Sequence, residues 1–176
     1  YGKSGMGLTT GLPVDVVMGT FSKGCGVFGA YIAGSRKLRD YLINCCAGFV
    51  YSTALPPPLV GAIDAALDLI PDMTAQRRVI RENAEIVRRS LKSMGWDTGG
   101  SVSQIIPVIV GKEADTLALS QRLWEEGILA TAIRPPTVPE NASRVRIAIT
   151  SAHTRAHLRH LLDAFGRWGS RFAGEK

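Results

Sequence analysis

Two short apolar segments flank a polar turn near the start of the chain. Apolar residues dominate positions 14–19, where Asp15 is the one charged residue, and fill positions 28–33, and Lys23 lies in the turn between them. Apolar runs of this length, bounded by turn residues, are typical of strands that are buried on both faces. The pattern therefore predicts a pair of buried strands with a lysine in the loop that joins them.

Helical and extended segments follow this pair of strands. Ser35 is predicted as the N-cap of a helix over residues 37–44. Residues 49–55 are predicted to be extended, since the three prolines at 56–58 cannot lie inside a helix or a central strand. Helical spacing over residues 59–70 predicts a second helix, with the last of these prolines in its first turn.

From residue 72 onward the pattern predicts the order helix, strand, helix, strand, strand, helix. We expect these elements over residues 73–94, 104–110, 115–126, 128–133, 145–148 and 154–168. That order describes a compact two-layer α/β unit with a core of its own. The sequence therefore predicts that residues 72–176 form a unit of their own, and the chain is one domain or parts of two.

Composition narrows the class of protein. The chain has 176 residues, 45% of them apolar and 20% charged, enough for a packed core, and no apolar stretch long enough to span a bilayer. Cys25, Cys45 and Cys46 have neither metal-ligand nor disulfide spacing, which predicts a cytoplasmic protein without a metal site. The formal charge is +6, but the arginines at 77–89 alternate with glutamates as on an ordinary solvated helix. We expect neither nucleic acid nor a membrane as a partner.

Lys23 is the first candidate for chemistry. It lies in the segment 20–26, T-F-S-K-G-C-G, with hydroxyls before it and glycines after it. A lysine amine can form a Schiff base, Thr20 and Ser22 could donate hydrogen bonds to a phosphate, and glycines let the backbone approach a ligand closely. These residues suit an amine that meets a flat, phosphorylated cofactor. Residue types alone favour the alternative, a surface lysine in a hairpin turn.

Two further segments carry candidate binding groups. Ser52 and Thr53 precede the prolines, so their hydroxyls are predicted on a rigid strand end; the alternative is routine polar capping of a strand. Arg134 precedes two prolines in the segment 132–137, A-I-R-P-P-T. A backbone fixed in this way would aim a guanidinium at a carboxylate with little loss of entropy. The alternative for Arg134 is a surface arginine in a proline-rich loop.

Together these motifs resemble those of the α-oxoamine synthases. The chain contains T-F-S-K-G-x-G-x-x-G, then Y-S-T-x-x-P-P, then I-R-P-P-T-V-P followed by R-x-R and T-S-A-H, in the family's order. These are pyridoxal 5'-phosphate enzymes with the aspartate-aminotransferase fold, known as fold type I, an α/β class. The resemblance implies that residues 1–71 are the C-terminal part of the cofactor-binding large domain and that 72–176 are the C-terminal small α/β domain.

The resemblance also implies roles for the cofactor residues. Lys23 would hold pyridoxal 5'-phosphate as a Schiff base and then move protons as the free amine. Thr20 would bind the phosphate of the same site. Thr53, with Ser52 beside it, would reach the phosphate of the neighbouring subunit's cofactor, because these enzymes build their sites across a homodimer interface.

The substrate residues follow in the same way. Arg134 would hold the carboxylate of the amino acid, and Thr137 would line the substrate pocket. His153 matches a family position, but we expect it to be structural, and we expect His157 and His160 on the surface of the last helix.

The reaction that the resemblance implies is a decarboxylative condensation of L-alanine with pimeloyl-CoA. Another member using glycine or serine with a different acyl-CoA is the first alternative, and a non-catalytic partner subunit is the second. Family members are longer than this chain and carry an Asp-Glu-Ala-His motif that it lacks. We therefore expect the chain to be the C-terminal half of an enzyme, and to be inactive alone.

Overall fold

The computed structural model, which describes residues 2–172, contains two compact units, Tyr1–Thr74 and Ala75–Lys176. Among the described residues, the first unit contains a two-stranded sheet and the second a three-stranded sheet. Both units combine helices with strands, so the predicted α/β class is confirmed. Within residues 2–172, no helix is both long enough and apolar enough to cross a membrane.

The first unit begins with the predicted pair of strands. Strand β1, Val16–Thr20, runs antiparallel to β2, Ala30–Gly34. The prediction that both strands are buried was wrong: β1 alternates between exposed and half-buried residues, and β2 is exposed throughout. The physical reason is that, among the described residues of this unit, only two strands pair, and Ile63, which is 9% exposed, is the one buried residue.

Two short helices follow the strand pair. Ser35 caps α1, Arg36–Cys45, because its Oγ accepts the backbone N–H of Leu38 at 3.2 Å, as predicted. The extended segment predicted over 49–55 was wrong at its start, since α2 covers Ala47–Val50. The N–H groups of residues 49 and 50 both donate to the carbonyl of Cys46 at 2.9 Å, which closes a helical turn that the apolar run had hidden.

The prolines at 56–58 lie at the start of the next helix, and among the described residues no strand directly precedes them. Helix α3 covers Pro57–Leu69, with proline at its first positions. A proline costs nothing there, because the N–H groups of a first turn have no partner inside the helix. A short 3-10 turn, Ile70–Asp72, leads out of α3.

The second unit has the predicted order of elements, although two of its strands differ in length from the prediction. The strand predicted over 128–133 is reduced to its last three residues. The elements are α4 Thr74–Ser93, β3 Ile105–Gly111, α5 Glu113–Glu125, β4 Thr131–Ile133, β5 Ser143–Ala148 and α6 Arg155–Phe172. The strands are antiparallel in the order β3-β5-β4. Gly95 and Gly127, both at positive φ, follow α4 and α5 as predicted, because glycine adopts this conformation without steric cost.

The central strand of this sheet separates a core face from an open face. Ser143, Val145 and Ile147 of β5 are buried, whereas Arg144 is half-buried and Arg146 is exposed. This alternation is typical of an antiparallel sheet with one face on the core. The core also includes an edge-to-face pair of Trp96 and Phe165, with ring centroids 5.2 Å apart. The open face is therefore the one that presents arginines.

Candidate active site

The loop that carries Lys23 is fixed by its own backbone. The N–H of Phe21 donates to the carbonyl of Gly29 at 2.9 Å, and the N–H of Val27 donates to the carbonyl of Phe21 at 3.1 Å. A tighter turn lies inside, where the N–H of Gly26 donates to the carbonyl of Lys23 at 3.1 Å. Gly26 has a φ of 65°, which a residue with a side chain rarely adopts. These bonds hold Lys23 at the tip of the strand pair.

The Lys23 side chain is exposed and lies beside a hydroxyl. Its Nζ donates to Thr20 Oγ1 at 3.4 Å, and both residues are open to solvent. A Cβ built on Gly24 would meet no atom within 4 Å, so the loop is open at this glycine. An amine, a hydroxyl donor and an open glycine loop can together receive a carbonyl compound that carries a phosphate. The donor set therefore fits pyridoxal 5'-phosphate.

An aromatic pair supports this loop from the strands. Tyr31 of β2 lies directly opposite Gly19 of β1, and its ring contacts that of Phe21 with centroids 5.2 Å apart. The absence of a side chain at Gly19 leaves room for the ring, because a Cβ there would lie 2.4 Å from Tyr31 Cε1. Residue types alone gave no sign of this arrangement, which connects β2 to the first residue after β1.

The second pair of predicted cofactor residues lies in a different setting from the one predicted. Ser52 and Thr53 follow the short helix α2 rather than ending a strand, and Ser52 Oγ donates to the carbonyl of Gly48 at 2.5 Å. Both residues are exposed. Within the described residues, no hydrogen bond joins either hydroxyl to Lys23 or Thr20. Thr53 therefore keeps a hydroxyl that faces solvent.

Arg134 is the first residue after β4 and is held by an ion pair. Its Nη1 donates to Glu113 Oε1 at 2.7 Å, and about half of each side chain is exposed. The N–H of Thr137 donates to the carbonyl of Arg134 at 3.0 Å, which closes a turn around the cis Pro135-Pro136 bond. Thr137 itself is exposed. The arginine belongs to the second unit and Lys23 to the first.

Two charged residues of the second unit were not among the predicted site residues. Arg146 is exposed on the open face of β5, opposite Thr131 of β4, and has no ion pair within residues 2–172. The alternation of the R-x-R motif along a strand was the signal that could have placed it there. Glu113 is 21 positions from Arg134 in the sequence. No local pattern connects them.

His153 and His157 form hydrogen bonds at the N-terminus of α6, whereas His160 contacts the carbonyl of Glu126 at 2.9 Å. His157 Nδ1 accepts the N–H of Thr154 at 3.3 Å, while Thr154 Oγ1 accepts the N–H of His157 at the same distance. This is the reciprocal geometry of a capping box, with imidazole in place of the usual carboxylate. His153 Nδ1 similarly accepts the N–H of Thr150 at 3.0 Å, in agreement with the structural role expected for it.

Among the described residues, two carboxyl groups have a pKa below the ordinary value, and both lie in the second unit. A hydrogen bond from Arg89 is the largest cause of the lowered pKa of Glu85. The pKa of Glu126 is lowered chiefly by the indole N–H of Trp168, which donates at 3.0 Å, and then by Arg167. These are ion pairs of the fold, not of the predicted site. Within residues 2–172 no group of three histidine, cysteine, aspartate or glutamate side chains could hold a metal ion.

The fold is that of the C-terminal part of a fold type I pyridoxal 5'-phosphate enzyme. The family model for aminotransferase class I and II matches residues 5–165 of this sequence. The chain therefore belongs to the aminotransferase class I and II family, whose cofactor is pyridoxal 5'-phosphate, as predicted.

Two relatives are similar in sequence over most of this chain. The chain is 58% identical over 168 residues to a protein of Desulfosudis oleivorans that is provisionally named 8-amino-7-oxononanoate synthase, covering 96% of this chain and 44% of the relative. It is 50% identical over 151 residues to the 8-amino-7-oxononanoate synthase of Gluconacetobacter diazotrophicus, covering 86% of this chain and 38% of that one. The chain thus spans less than half the length of these relatives.

Solved structures agree with this fold. Serine palmitoyltransferase of Sphingomonas wittichii superposes with a TM-score of 0.89 at 27% identity, covering 99% of this chain and 45% of that one. The 8-amino-7-oxononanoate synthase of Francisella tularensis superposes with a TM-score of 0.83 over 95% of this chain and 50% of that one. At 20% identity the second likeness shows the fold alone.

Proposed function

We propose that this chain supplies the cofactor lysine and the carboxylate-binding arginine of an α-oxoamine synthase, which joins an amino acid to an acyl thioester. The observation that carries the proposal is the Lys23 amine, exposed on a fixed glycine loop with Thr20 Oγ1 3.4 Å away. The names of the relatives support the same reaction class. Because the chain spans less than half of each relative's length, the proposal concerns the whole protein that contains it.

The substrates we propose are L-alanine and a pimeloyl thioester, either of CoA or of a carrier protein, which condense with loss of carbon dioxide to 8-amino-7-oxononanoate for biotin synthesis. Two observations support this choice. The I-R-P-P-T-V-P loop of residues 133–139 is the part of the motif set that points to this member. Two relatives at 58% and 50% identity also carry this synthase name.

Each residue has a role that its chemistry allows. The bound cofactor supplies an electron sink for the carbon from which a proton is lost. The Lys23 amine would attach the cofactor and, once released, take and return the proton on that carbon. The Thr20 hydroxyl would donate a hydrogen bond to the phosphate. The Arg134 fork would hold the amino-acid carboxylate through paired N–H donors, and Thr137 would line the pocket beside it.

We further propose a homodimer in which Ser52 and Thr53 serve the partner subunit's cofactor phosphate. The exposed Thr53 hydroxyl, which makes no hydrogen bond to Lys23 or Thr20 within residues 2–172, supports an acceptor outside this chain. A cytoplasmic location is proposed from the cysteines, because all three are free and two of them are adjacent, as is usual in a reducing compartment.

A second candidate is a synthase that uses serine with a long-chain acyl thioester. The likeness to serine palmitoyltransferase at a TM-score of 0.89 and 27% identity supports it. The relatives at 58% and 50% identity favour alanine and pimeloyl thioester over this alternative.

Thiol release tests the proposal. The whole protein, loaded with pyridoxal 5'-phosphate, is mixed with alanine, glycine or serine and with pimeloyl, short-chain or palmitoyl thioesters. We expect release that requires alanine with the pimeloyl thioester and that disappears in Lys23→Ala. Lys37→Ala is the matched control, since Lys37 is also an exposed lysine of the first unit.

The other outcomes are equally informative. Release with serine and a long-chain thioester would keep the reaction class and overturn the substrates. No release from any pair by protein that retains its cofactor would contradict the enzyme assignment and favour a non-catalytic partner subunit.

A further inference from the structure

We propose that Glu113 sets the affinity of the amino-acid substrate by competing with its carboxylate for Arg134. This inference rests on the proposed function, since it takes Arg134 as the carboxylate-binding residue. Glu113 is the first residue of α5, and Arg134 follows β4, so two separate elements of the second unit bring the two charges together. Their closest atoms, Arg134 Nη1 and Glu113 Oε1, are 2.7 Å apart.

The ion pair is open to exchange. The Arg134 side chain is 52% exposed and that of Glu113 47% exposed, so a dissolved carboxylate can reach the guanidinium. Exposed pairs of this kind contribute only about 0.2–1 kcal/mol, because water and salt screen them. A substrate that is also held elsewhere in the site can therefore displace or share this partner.

The guanidinium is only partly used by this partner. A guanidinium has five N–H donors arranged as a fork, and the bond to Glu113 uses Nη1 alone. In the part of the chain that the structure describes, Nε and Nη2 of Arg134 have no acceptor. The Nε and Nη2 edge of the guanidinium can thus receive the substrate carboxylate while Glu113 stays in place. Two negative charges then lie beside one cation, and their repulsion weakens the binding of the substrate carboxylate.

Removing the charge of Glu113 should strengthen the binding of the substrate carboxylate. In Glu113→Gln a side-chain oxygen remains to accept from Nη1, while the negative charge is lost. We expect the dissociation constant of alanine to fall about two- to fivefold, which is the range of a single exposed ion pair. The KM for alanine should fall by the same factor, with kcat unchanged.

The experiment is a calorimetric titration of the whole, cofactor-loaded protein with alanine and, separately, with alaninamide. Alaninamide keeps the amine and the methyl group but lacks the carboxylate, so Glu113→Gln should leave its binding unchanged. Asp115→Asn is the matched control, because Asp115 is an exposed acid in the same first turn of α5 without a contact to Arg134 in the described residues. We expect no tighter binding of alanine in that variant.

Arg134→Ala separates this inference from the proposed function. We expect that variant to bind alanine more weakly and Glu113→Gln to bring no gain in its background. If Arg134→Ala weakens alanine binding while Glu113→Gln has no effect, the inference fails and the role of Arg134 stands. A gain in Glu113→Gln that persists without Arg134, or that alaninamide shares, would also overturn it. If Arg134→Ala leaves alanine binding unchanged, the proposed role of Arg134 fails first.

Discussion

An added methyl group at Gly19 is predicted to destabilise the pair of strands β1 and β2. Gly19 pairs with Tyr31 across β1 and β2, and a Cβ at this position would lie 2.4, 2.6 and 2.7 Å from Tyr31 Cε1, Cζ and Oη. Carbon atoms in contact prefer about 3.5–4.0 Å. The tyrosine ring must therefore move by roughly 1 Å or more in Gly19→Ala, away from its contact with Phe21.

The cost follows from what the ring can do instead. Overpacking costs about 1–3 kcal/mol, and the low end applies because Tyr31 is 41% exposed and can swing into solvent. Loss of the aromatic pair adds about 0.5–1.5 kcal/mol, whereas replacing glycine in a strand returns about 0.5–1 kcal/mol. The net expectation is a loss of about 1 kcal/mol in the strand pair, which corresponds to about fivefold weaker retention of the cofactor.

Cofactor affinity and denaturant midpoint measured on the whole protein test this reasoning. Tyr31→Ala should remove the penalty of Gly19→Ala, so the double variant should resemble Tyr31→Ala alone. Gly61→Ala is the control, since a Cβ on this glycine of α3 would meet no atom within 4 Å. A Gly19→Ala protein that binds the cofactor as the parent does, or a penalty that persists without Tyr31, would refute the argument.

Three further predictions concern the second unit. Because hydrogen bonding lowers the pKa of Glu126 in the folded state, its contribution to stability is present above the unfolded value near 4.5 and is lost as pH falls through the folded pKa. Urea midpoints between pH 7 and pH 3 should therefore fall less steeply in Glu126→Gln, and an unchanged slope would contradict this. His157→Ala should lower the free energy of unfolding by about 1 kcal/mol, because it breaks the cap of α6. His157→Glu should restore that free energy, as measured by denaturant melts. An equal loss in both variants would exclude capping. Leu123→Ala should cost about 2–5 kcal/mol, because this side chain is fully buried in the core, whereas Leu129→Ala, which changes an exposed leucine, should melt like the parent.

The elements that were predicted correctly depend on local rules. The helices and their ends in the second unit follow from helical spacing and from glycines such as Gly95 and Gly127, which adopt a positive φ. Ser35 could be predicted as a cap from the sequence, because the N–H that its hydroxyl accepts lies only three residues away. Such contacts are formed between close neighbours in the sequence, so the pattern of residues reveals them.

The features that were missed depend on distant residues. The apolar strands β1 and β2 were predicted to be buried, but burial depends on which other elements cover a strand, and the strand's own sequence does not contain that information. The pairing of Tyr31 with Gly19 depends on the register between strands. The ion pair of Arg134 with Glu113 joins residues 21 positions apart and has no pattern in the sequence.

The contact between Lys23 and Thr20 of the candidate site is also local. Lys23 and Thr20 are three residues apart, and the loop brings them within 3.4 Å of each other. The roles of all the site residues stay predictions, since they depend on a cofactor, a substrate or a second subunit: Thr20, Lys23, Ser52, Thr53, Arg134 and Thr137. Motif order indicated these residues, and their chemistry has to be measured.

Chemical trapping on Lys23 tests the central claim most directly. The whole protein is loaded with pyridoxal 5'-phosphate, reduced with borohydride, digested and analysed by peptide mass spectrometry. We expect a stable phosphopyridoxyl group on Lys23, none on the exposed Lys37, and none anywhere in Lys23→Ala. Label on a different lysine, or no label on Lys23 in protein that holds its cofactor, would contradict the account.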